Sequence, residues 1–498
     1  MSNINEIHRK SLLTAGFLAL VAAGVGFAVR GGLLGQWSSL YGFTFTELGQ
    51  ITGGGLLGFG LVILLTSLVV DVVGYKKLMI VALLCHVVSA AMLFFTTAVF
   101  NSAGKEATFE LLFWSSFIFA IGNGICEGVI NPLTSTLFPE KKTHYLNLLH
   151  AGWPAGLVLG GLVAFAAGSV RWELLLATYL IPTAIYGYIT FINKFPKTAA
   201  QEGSISYGGM FRTLIGPFFI VLLVAHACVG YVELGTDSWI NKITGSILKS
   251  AALGTSLFIY TSLLMTGLRF FAGPIVHRIS SLGLLFASAL IGALGLYLIS
   301  IGDSVPFMFF AATVYALGKT FLWPTMLGVV GERFPKSATV AMGLLGAVGM
   351  ISAGYLGGPG IGYKQDYFAT QYIKEKAPQT YERVKAPDEN GFLLFPKVVA
   401  VDGAKAGMLA DNAERVLNDV KIAGDAIENP EFKGLRAQRD WWIANKQFAE
   451  TDAGPVGEAT LHGSRMAIRF TALVPAAMAV LYILLILLGR TRPIQTEE

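Results

Sequence analysis

The sequence predicts an all-α integral membrane protein with twelve transmembrane helices in two pseudo-symmetric six-helix halves. An extra non-cytoplasmic segment is expected between helices 11 and 12. Three observations predict this fold class. First, 54% of the 498 residues are hydrophobic and 13% are charged, whereas soluble domains carry about 25% charged residues. Second, twelve apolar runs reach the length of about 20 residues that a bilayer crossing requires. Third, polar motifs recur at corresponding places in the two halves.

The apolar runs define the twelve spans. The first run is long and no small-residue cleavage site follows it, so we interpret it as a retained span and not as a signal peptide. The predicted spans are 12–35, 49–71, 77–100, 109–137, 147–169, 172–193, 212–236, 251–275, 282–301, 305–331, 339–361 and 464–489.

Basic residues in the short loops predict the orientation. About 14 Lys and Arg fall on one side of the membrane and only about four on the other, and the richer side is normally cytoplasmic. Both termini are therefore expected in the cytoplasm, with the protein in a bacterial inner membrane. The net charge of +5 reflects this bias and indicates no nucleic-acid partner. All three cysteines fall inside spans, which indicates no disulfide framework.

Composition divides the chain into five segments. A polar stretch separates spans 6 and 7 and is typical of a linker. A second polar segment, of about 100 residues, has apolar positions at helical spacing; it is expected to be either a solvated helical cap or a lid or docking surface. The segments are 1–194 (first half), 195–210 (cytoplasmic linker), 211–361 (helices 7–11), 362–463 (extracytoplasmic insertion) and 464–498 (helix 12 and tail).

Internal repeats support the two halves. Span 4 contains "EGVINP" and span 10 contains "KTFLWP", so Glu127 and Lys319 each precede a proline by five residues. Spans 2 and 8 end in "SLVVDVVGYKK" and "GPIVHRISSLG", in which Asp71 aligns with His277.

These motifs resemble a known family. "SLVVDVVGYKK" is similar to the loop motif of the major facilitator superfamily. More narrowly, "GNGICEGVINPLTSTLFPEKKTHYLNLLHAGWPAG" and "GYVELGTDSWI" resemble the fucose permease-like branch of sugar:proton symporters. The resemblance covers both membrane halves but not 362–463. That branch is expected to have an acid in helix 1, where this chain has Arg30. The resemblance implies a central cavity lined by helices 1, 4, 7 and 10.

Charged residues on these four helices are the main site candidates. Asn123, Glu127 and Asn131 share one helical face, and lipid could not satisfy such a polar stripe. Intramembrane charges are costly unless they are paired, and they often mark substrate or ion pathways. We therefore expect two ion pairs, Arg30–Glu127 and Glu233–Lys319. They could be purely structural, or they could exchange partners with a proton or substrate, with Glu127 as the proton carrier.

Further candidates complete the predicted site. His150 and Trp153, one turn apart, suit a sugar, although packing explains them equally well. The other substrate or proton candidates are Gln36, His226, Asp237, Trp239 and Trp323. A gate is expected from the loop motif of each half, comprising Asp71, Gly74, Lys76, Lys77, Arg269 and Gly273.

The expected function is transport. No HExxH, P-loop, CxxC or GxSxG motif is present, so we expect no enzyme, no cofactor and no metal site. The leading hypothesis is a monomeric secondary active transporter for proton-coupled uptake of a sugar or polyol. One alternative is an organic or inorganic anion carrier that uses Arg30 and Lys319; another is a transporter-derived sensor or scaffold. Sodium coupling through Asn123, Asn131 and Thr134 also stays open.

Overall fold

The computed structural model describes residues 6–41, 45–165, 170–198, 207–387, 389, 391–429 and 432–491. In these ranges the chain is helical, and the one β-bridge found there joins Lys385 and Val401. The side chain of Gln36 lies outside the described residues. The first half comprises α1 (Glu6–Tyr41), α2 (Phe45–Val73), α3 (Tyr75–Phe94), α4 (Thr96–Leu137), α5 (Lys142–His150), α6 (Gly152–Phe165), α7 (Trp172–Leu176) and α8 (Leu180–Ile192).

The second half begins with a short helix and repeats the six-span plan. Its elements are α9 (Tyr207–Leu214), α10 (Pro217–Gly230), a π turn (Tyr231–Gly235), α11 (Thr236–Ile247), α12 (Ala251–Arg269), α13 (Ala272–Ile279), α14 (Ser281–Ile301), α15 (Val305–Lys319), α16 (Leu322–Arg333), α17 (Ala338–Ile351), a second π turn (Ser352–Gly357), α18 (Gly358–Lys376), α23 (Ala449–Thr471) and α24 (Leu473–Thr491). The four helices between α18 and α23 belong to the insertion and are described below.

The twelve predicted spans correspond to helices. Within the described ranges, ten helical stretches are long and apolar enough to cross a bilayer. The pair α12 and α13 meets the same criteria only when taken together, as an eleventh stretch bent by 64°. In α2 the apolar part that could be assessed is Gly58–Val73. The twelve-helix fold class is confirmed. Span 4 begins earlier than predicted, at Thr96, but its backbone breaks at Gly104, where φ is +79°.

Glycines let spans 7 and 11 touch along their backbones. A Cβ added to Gly230 would collide with the carbonyl oxygen of Gly349, and one added to Gly235 would lie 2.7 Å from Cα of Gly357. Small residues of this kind permit close helix packing in membranes. Both spans contain a π turn in this region, so their side-chain register shifts where the two helices pass each other.

The insertion is a helical body with its own apolar core. It contains α19 (Pro378–Val384), α20 (Gly403–Ala410), α21 (Glu414–Ala423) and α22 (Lys433–Asn445). Ile373, Met408 and Ala459 are among its buried core residues. The predicted boundary at 362 lies inside α18, and the one at 463 lies inside α23, so two long helices carry the insertion out of the membrane region.

Two faces of the membrane region can be named from these elements. The loop-motif face carries 74–76, 138–142, 278–281 and 334–337, which are the turns between spans 2 and 3, 4 and 5, 8 and 9, and 10 and 11. The insertion face is the opposite one, from which α18 and α23 project. A hydrogen bond between the hydroxyls of Thr143 and Ser281 joins the two halves at the loop-motif face.

Candidate functional site

A small cavity lies where the two halves meet. Glu127, His150 and Trp153 line it from the first half. From the second half come Glu233, Leu234, Arg269, Trp323 and Met350. The space open to water centres is only about 20 Å³, which holds about one or two water molecules. A solute larger than water would therefore enter only after the halves separate.

Glu127 contacts an amide and an imidazole. Its Oε2 accepts a hydrogen bond of 2.7 Å from Nδ2 of Asn131, and Nε2 of His150 lies 3.9 Å from the same oxygen. His150 in turn donates to Oδ1 of Asn131 over 2.8 Å. All three side chains are buried. Glu127 therefore has no cationic partner among the described residues unless His150 is protonated.

The expected ion pair between Arg30 and Glu127 is wrong. The guanidinium of Arg30 lies 3.9 Å from the ring centroid of Phe119 and donates to Ser89 Oγ over 3.3 Å and to the carbonyl of Gly26. Phe119 precedes Glu127 by eight residues, or about 12 Å along α4. Because Arg30 contacts α4 at Phe119, about 12 Å from Glu127 along the helix, its side chain does not also reach Glu127.

Arg269 occupies the centre of the site and does not belong to a gate at the loop-motif face. Its Nη2 donates to Oε1 of Glu233 over 2.8 Å, its Nε to the carbonyl of Thr320 over 2.8 Å, and its Nη1 to the carbonyl of His150. The sequence placed Arg269 near a helix end. In the structure α13 adds about 12 Å of helix beyond the bend, which leaves Arg269 deep in the membrane region.

The expected pair between Glu233 and Lys319 is also wrong. Nζ of Lys319 donates to Oδ1 of Asp237 over 2.5 Å; the lysine side chain is buried and that of the aspartate is 10% exposed. Glu233 lies in the π turn of span 7, and a π turn adds a residue to the helical repeat. Asp237, one turn further on, consequently faces Lys319, while Glu233 faces Arg269. Oε2 of Glu233 is buried and has no hydrogen-bond partner among the residues that the structure describes.

Other candidates lie at the edge of this cluster or away from it. Asn123 accepts a hydrogen bond of 3.0 Å from His86, not from a cavity group. The His226 ring packs against Trp323, with centroids 4.5 Å apart. Nε1 of Trp239 donates to the carbonyl of Gly358 over 2.8 Å, near the insertion face.

Gly74 and Lys76 of the first loop motif have local roles within the first half. Gly74 has a φ of +89° and precedes α3, a conformation that favours glycine. Lys76 donates to the carbonyls of Phe191 and Asn193. Asp71 is buried and Lys77 is exposed.

One short helix ties the halves together at the loop-motif face. In α5, Lys142 donates to the carbonyl of Gly331 over 2.7 Å, Thr143 to Glu332 over 2.6 Å, and Asn147 to Thr325 over 3.0 Å. Nδ1 of His144 accepts from the backbone N–H of Gly273. These hydrogen bonds from a single nine-residue helix hold the two halves together on this side of the cavity.

Sequence reasoning missed several residues of the site. Leu234 and Met350 line the cavity, but nothing separates them from other apolar residues in their spans. His86 and Tyr186 hydrogen-bond over 2.9 Å in the buried core of the first half; a lone histidine in span 3 was the available signal. Tyr315 donates to the carbonyl of Val232 and supports the π turn.

Comparison with known proteins gives a family and a fold. A sequence model described as Major Facilitator Superfamily matches residues 15–357. No curated protein matches the sequence. Among solved structures, a point variant of the E. coli fucose:proton symporter FucP is 18% identical, with a TM-score of 0.59 and coverage of 72% of this chain and 92% of that chain.

Two further solved structures are similar over most of their length. The proton:xylose symporter XylE has a TM-score of 0.59 at 12% identity and covers 75% of this chain and 91% of its own. The human organic anion transporter TETRAN has a TM-score of 0.58 at 14% identity, with coverage of 95% and 99%. At such identities the likeness concerns the fold alone.

Proposed function

This chain belongs to the major facilitator superfamily, and from that premise we propose that it is a secondary active transporter which takes up a sugar or a related polyol together with protons. Its halves rock around the central cavity and open it to one side of the membrane at a time. The observation that carries the proposal is this cavity, in which carboxylates, an imidazole, a guanidinium and two indole rings surround one small space between the halves.

The mixture of side chains suits a neutral, hydroxyl-rich ring. The indoles of Trp153 and Trp323 offer flat apolar surfaces for C–H groups, while Glu127, His150 and Arg269 offer hydrogen-bonding groups for hydroxyls. Binding pockets commonly combine such apolar walls with a few convergent polar groups. The known sugar:proton symporters among the similar structures support the same substrate class.

The geometry does not favour an anion carrier based on Arg30 and Lys319. Arg30 packs on an aromatic ring away from the cavity, and Asp237 already neutralises Lys319. The cavity itself is lined by Glu127, Glu233 and one cation, Arg269. An anionic substrate would meet more negative than positive charge there.

Glu127 is the proposed proton carrier. Glu233 is paired with the guanidinium of Arg269, whereas Glu127 receives its hydrogen bond from the neutral amide of Asn131. Adding a proton to Glu127 removes a buried charge without breaking an ion pair. Its place in the cavity wall gives that proton access to whichever side of the membrane is open.

The loop-motif face is proposed to be cytoplasmic, since Lys and Arg are concentrated in its loops. Both termini then lie in the cytoplasm, and the insertion at 362–463 lies outside. The proposed division into 1–194, 195–210, 211–361, 362–463 and 464–498 follows this arrangement. Closure by α5 makes the described state one in which the cytoplasmic route to the cavity is blocked.

The experiment begins with a search for a substrate. Purified protein is screened by thermal shift against neutral monosaccharides, polyols and organic anions, because a bound ligand stabilises by RT ln(1 + [L]/Kd). A ligand that raises the melting temperature is then used in proteoliposomes, in radiolabelled form. Stabilisation by anions alone would contradict the sugar assignment.

The variant Glu127→Gln tests the coupling. It keeps the shape of the side chain and fixes it in a neutral state, so exchange of labelled for unlabelled substrate should persist. Accumulation driven by a pH gradient should be lost. Glu110→Gln, at an exposed position of the same helix, is the matched control and should behave as the wild type. Gradient-driven accumulation by Glu127→Gln would show that Glu127 does not carry the proton.

A further inference from the structure

We propose that the segment Gly391–Lys397 of the insertion is a membrane-interface anchor, which inserts apolar side chains into the lipid headgroup region beside span 11. Leu393, Leu394 and Phe395 are consecutive, and their side chains are 58%, 101% and 58% exposed. Three adjacent apolar side chains turned out of a folded body mark a binding surface or a membrane contact. The positions of the neighbouring residues identify the membrane as the partner.

The anchor is fixed to the helix that leaves the membrane. Phe392 packs over Gly360, where an added Cβ would lie 3.0 Å from its ring. The rings of Phe395 and Tyr363 have centroids 5.8 Å apart, and the Tyr363 hydroxyl donates to the carbonyl of Pro396 over 2.7 Å. The loop therefore has a defined height on α18.

That height coincides with the membrane boundary. Span 11 begins at Ala338, at the loop-motif face, and a helix rises about 1.5 Å per residue. The hydrocarbon layer is about 30 Å thick, so the helix reaches its far side after about 20 residues, near Gly358. Gly360 and Tyr363 follow at once. The attached loop consequently lies level with the headgroups, where tyrosine and other amphipathic rings concentrate.

The lipid-facing side of span 11 leads directly to the loop. Tyr355 is 58% exposed and Pro359, one turn further, is also exposed. Met350, which lines the central cavity, is 4% exposed, so the exposed Tyr355 lies on a different side of the span. Tyr363 continues this side by another turn and meets the loop. In this proposal the exposed side of the span faces lipid, which is then the medium next to Leu394.

Spin labels give the test. Leu394→Cys and Phe395→Cys are labelled one at a time in full-length protein in phospholipid nanodiscs, in a background in which the three native cysteines are replaced. Collision rates with oxygen, which concentrates in lipid, and with a water-soluble nickel chelate are measured for each label. The control label is Ile422→Cys, at a 76% exposed position on α21 within the insertion.

An anchor gives a ratio of oxygen to nickel collisions several-fold higher at both loop positions than at position 422. Equal ratios at the three positions would place the loop in water and overturn the proposal, as expected for a lid over the aqueous mouth or for a docking surface for a soluble partner. Labelling both Leu394 and Phe395 guards against a variant that disturbs the loop. The readout needs no substrate, so it stands or fails independently of the transport proposal.

Discussion

Replacing Arg269 by methionine should lower the free energy of unfolding by more than the removal of any exposed charge does. The variant Arg269→Met keeps much of the side-chain length and removes the charge. Arg269 and Glu233 have side chains 1% and 4% exposed, with a nitrogen–oxygen distance of 2.8 Å. Removing one member of a buried pair leaves the other charge without compensation, which costs about 3–5 kcal/mol. The carbonyls of His150 and Thr320 lose a donor as well.

The double variant Arg269→Met/Glu233→Gln separates this effect from a general loss of packing. It removes both charges, so its loss of stability should be smaller than the sum of the two single losses, with a coupling of about 1–3 kcal/mol. The assay is denaturant unfolding in detergent, followed by tryptophan fluorescence. If the loss of stability in the double variant equals the sum of the two single losses, the unpaired charge is not the source of the destabilisation, and the argument is refuted.

A surface pair provides the matched control for this cycle. Lys376 and Glu375 are 3.0 Å apart, and their side chains are 60% and 74% exposed. Such pairs contribute about 0–1 kcal/mol, so Lys376→Gln should change the unfolding midpoint little. A loss of stability as large as that of Arg269→Met would mean that burial does not determine how much stability is lost when an ion pair is broken.

Three further predictions concern the two ends of the molecule. Thr143→Val removes the hydrogen bond to Glu332, so it should weaken closure of the loop-motif face by about 1 kcal/mol and speed modification of a cysteine placed in the cavity; an unchanged rate would contradict the role of α5. In the insertion, burial raises the pKa of Asp452, but hydrogen bonds from Arg383 and Thr380 outweigh it and hold that pKa below its ordinary value. The carboxylate therefore stabilises the insertion above about pH 4, and that contribution should be lost as the pH falls through the lowered pKa, measured by limited proteolysis against Arg383→Gln. Replacement of 378–448 by a short Gly/Ser linker should leave uptake within about threefold, since loop closure depends weakly on length; abolished uptake in a folded variant would make the insertion part of the transport cycle.

Most of the fold could be predicted because hydropathy and loop charge act over whole segments. A run of about 20 apolar residues specifies a span whatever its neighbours do. The loop motif and the recurring proline offsets then placed the spans in two related halves, and the family match to residues 15–357 confirms the superfamily. The exact ends were less predictable, since α18 and α23 pass through the membrane boundary without a break in the chain.

The site was predicted in composition but not in pairing. Glu127, Glu233 and Lys319 were found because a charge inside an apolar run is rare. Which charge meets which depends on backbone details that the pattern does not report. A π turn brings Asp237, and not Glu233, to face Lys319, and the 64° bend after α12 leaves Arg269 at the centre. The partner of Arg30 was predicted wrongly because a buried guanidinium can be stabilised by the face of an aromatic ring as well as by a carboxylate.

Because α18 leaves the bilayer without a break, a small tilt of the second half moves the insertion by a larger distance. A helix of 19 residues is about 28 Å long, so each degree by which the second half tilts displaces the far end by about 0.5 Å. Movements too small to follow between the cavity walls are thereby magnified above the membrane, where distance probes can be attached. A reagent that binds the insertion and the first half together would therefore block the conformational change from outside, without entering the cavity.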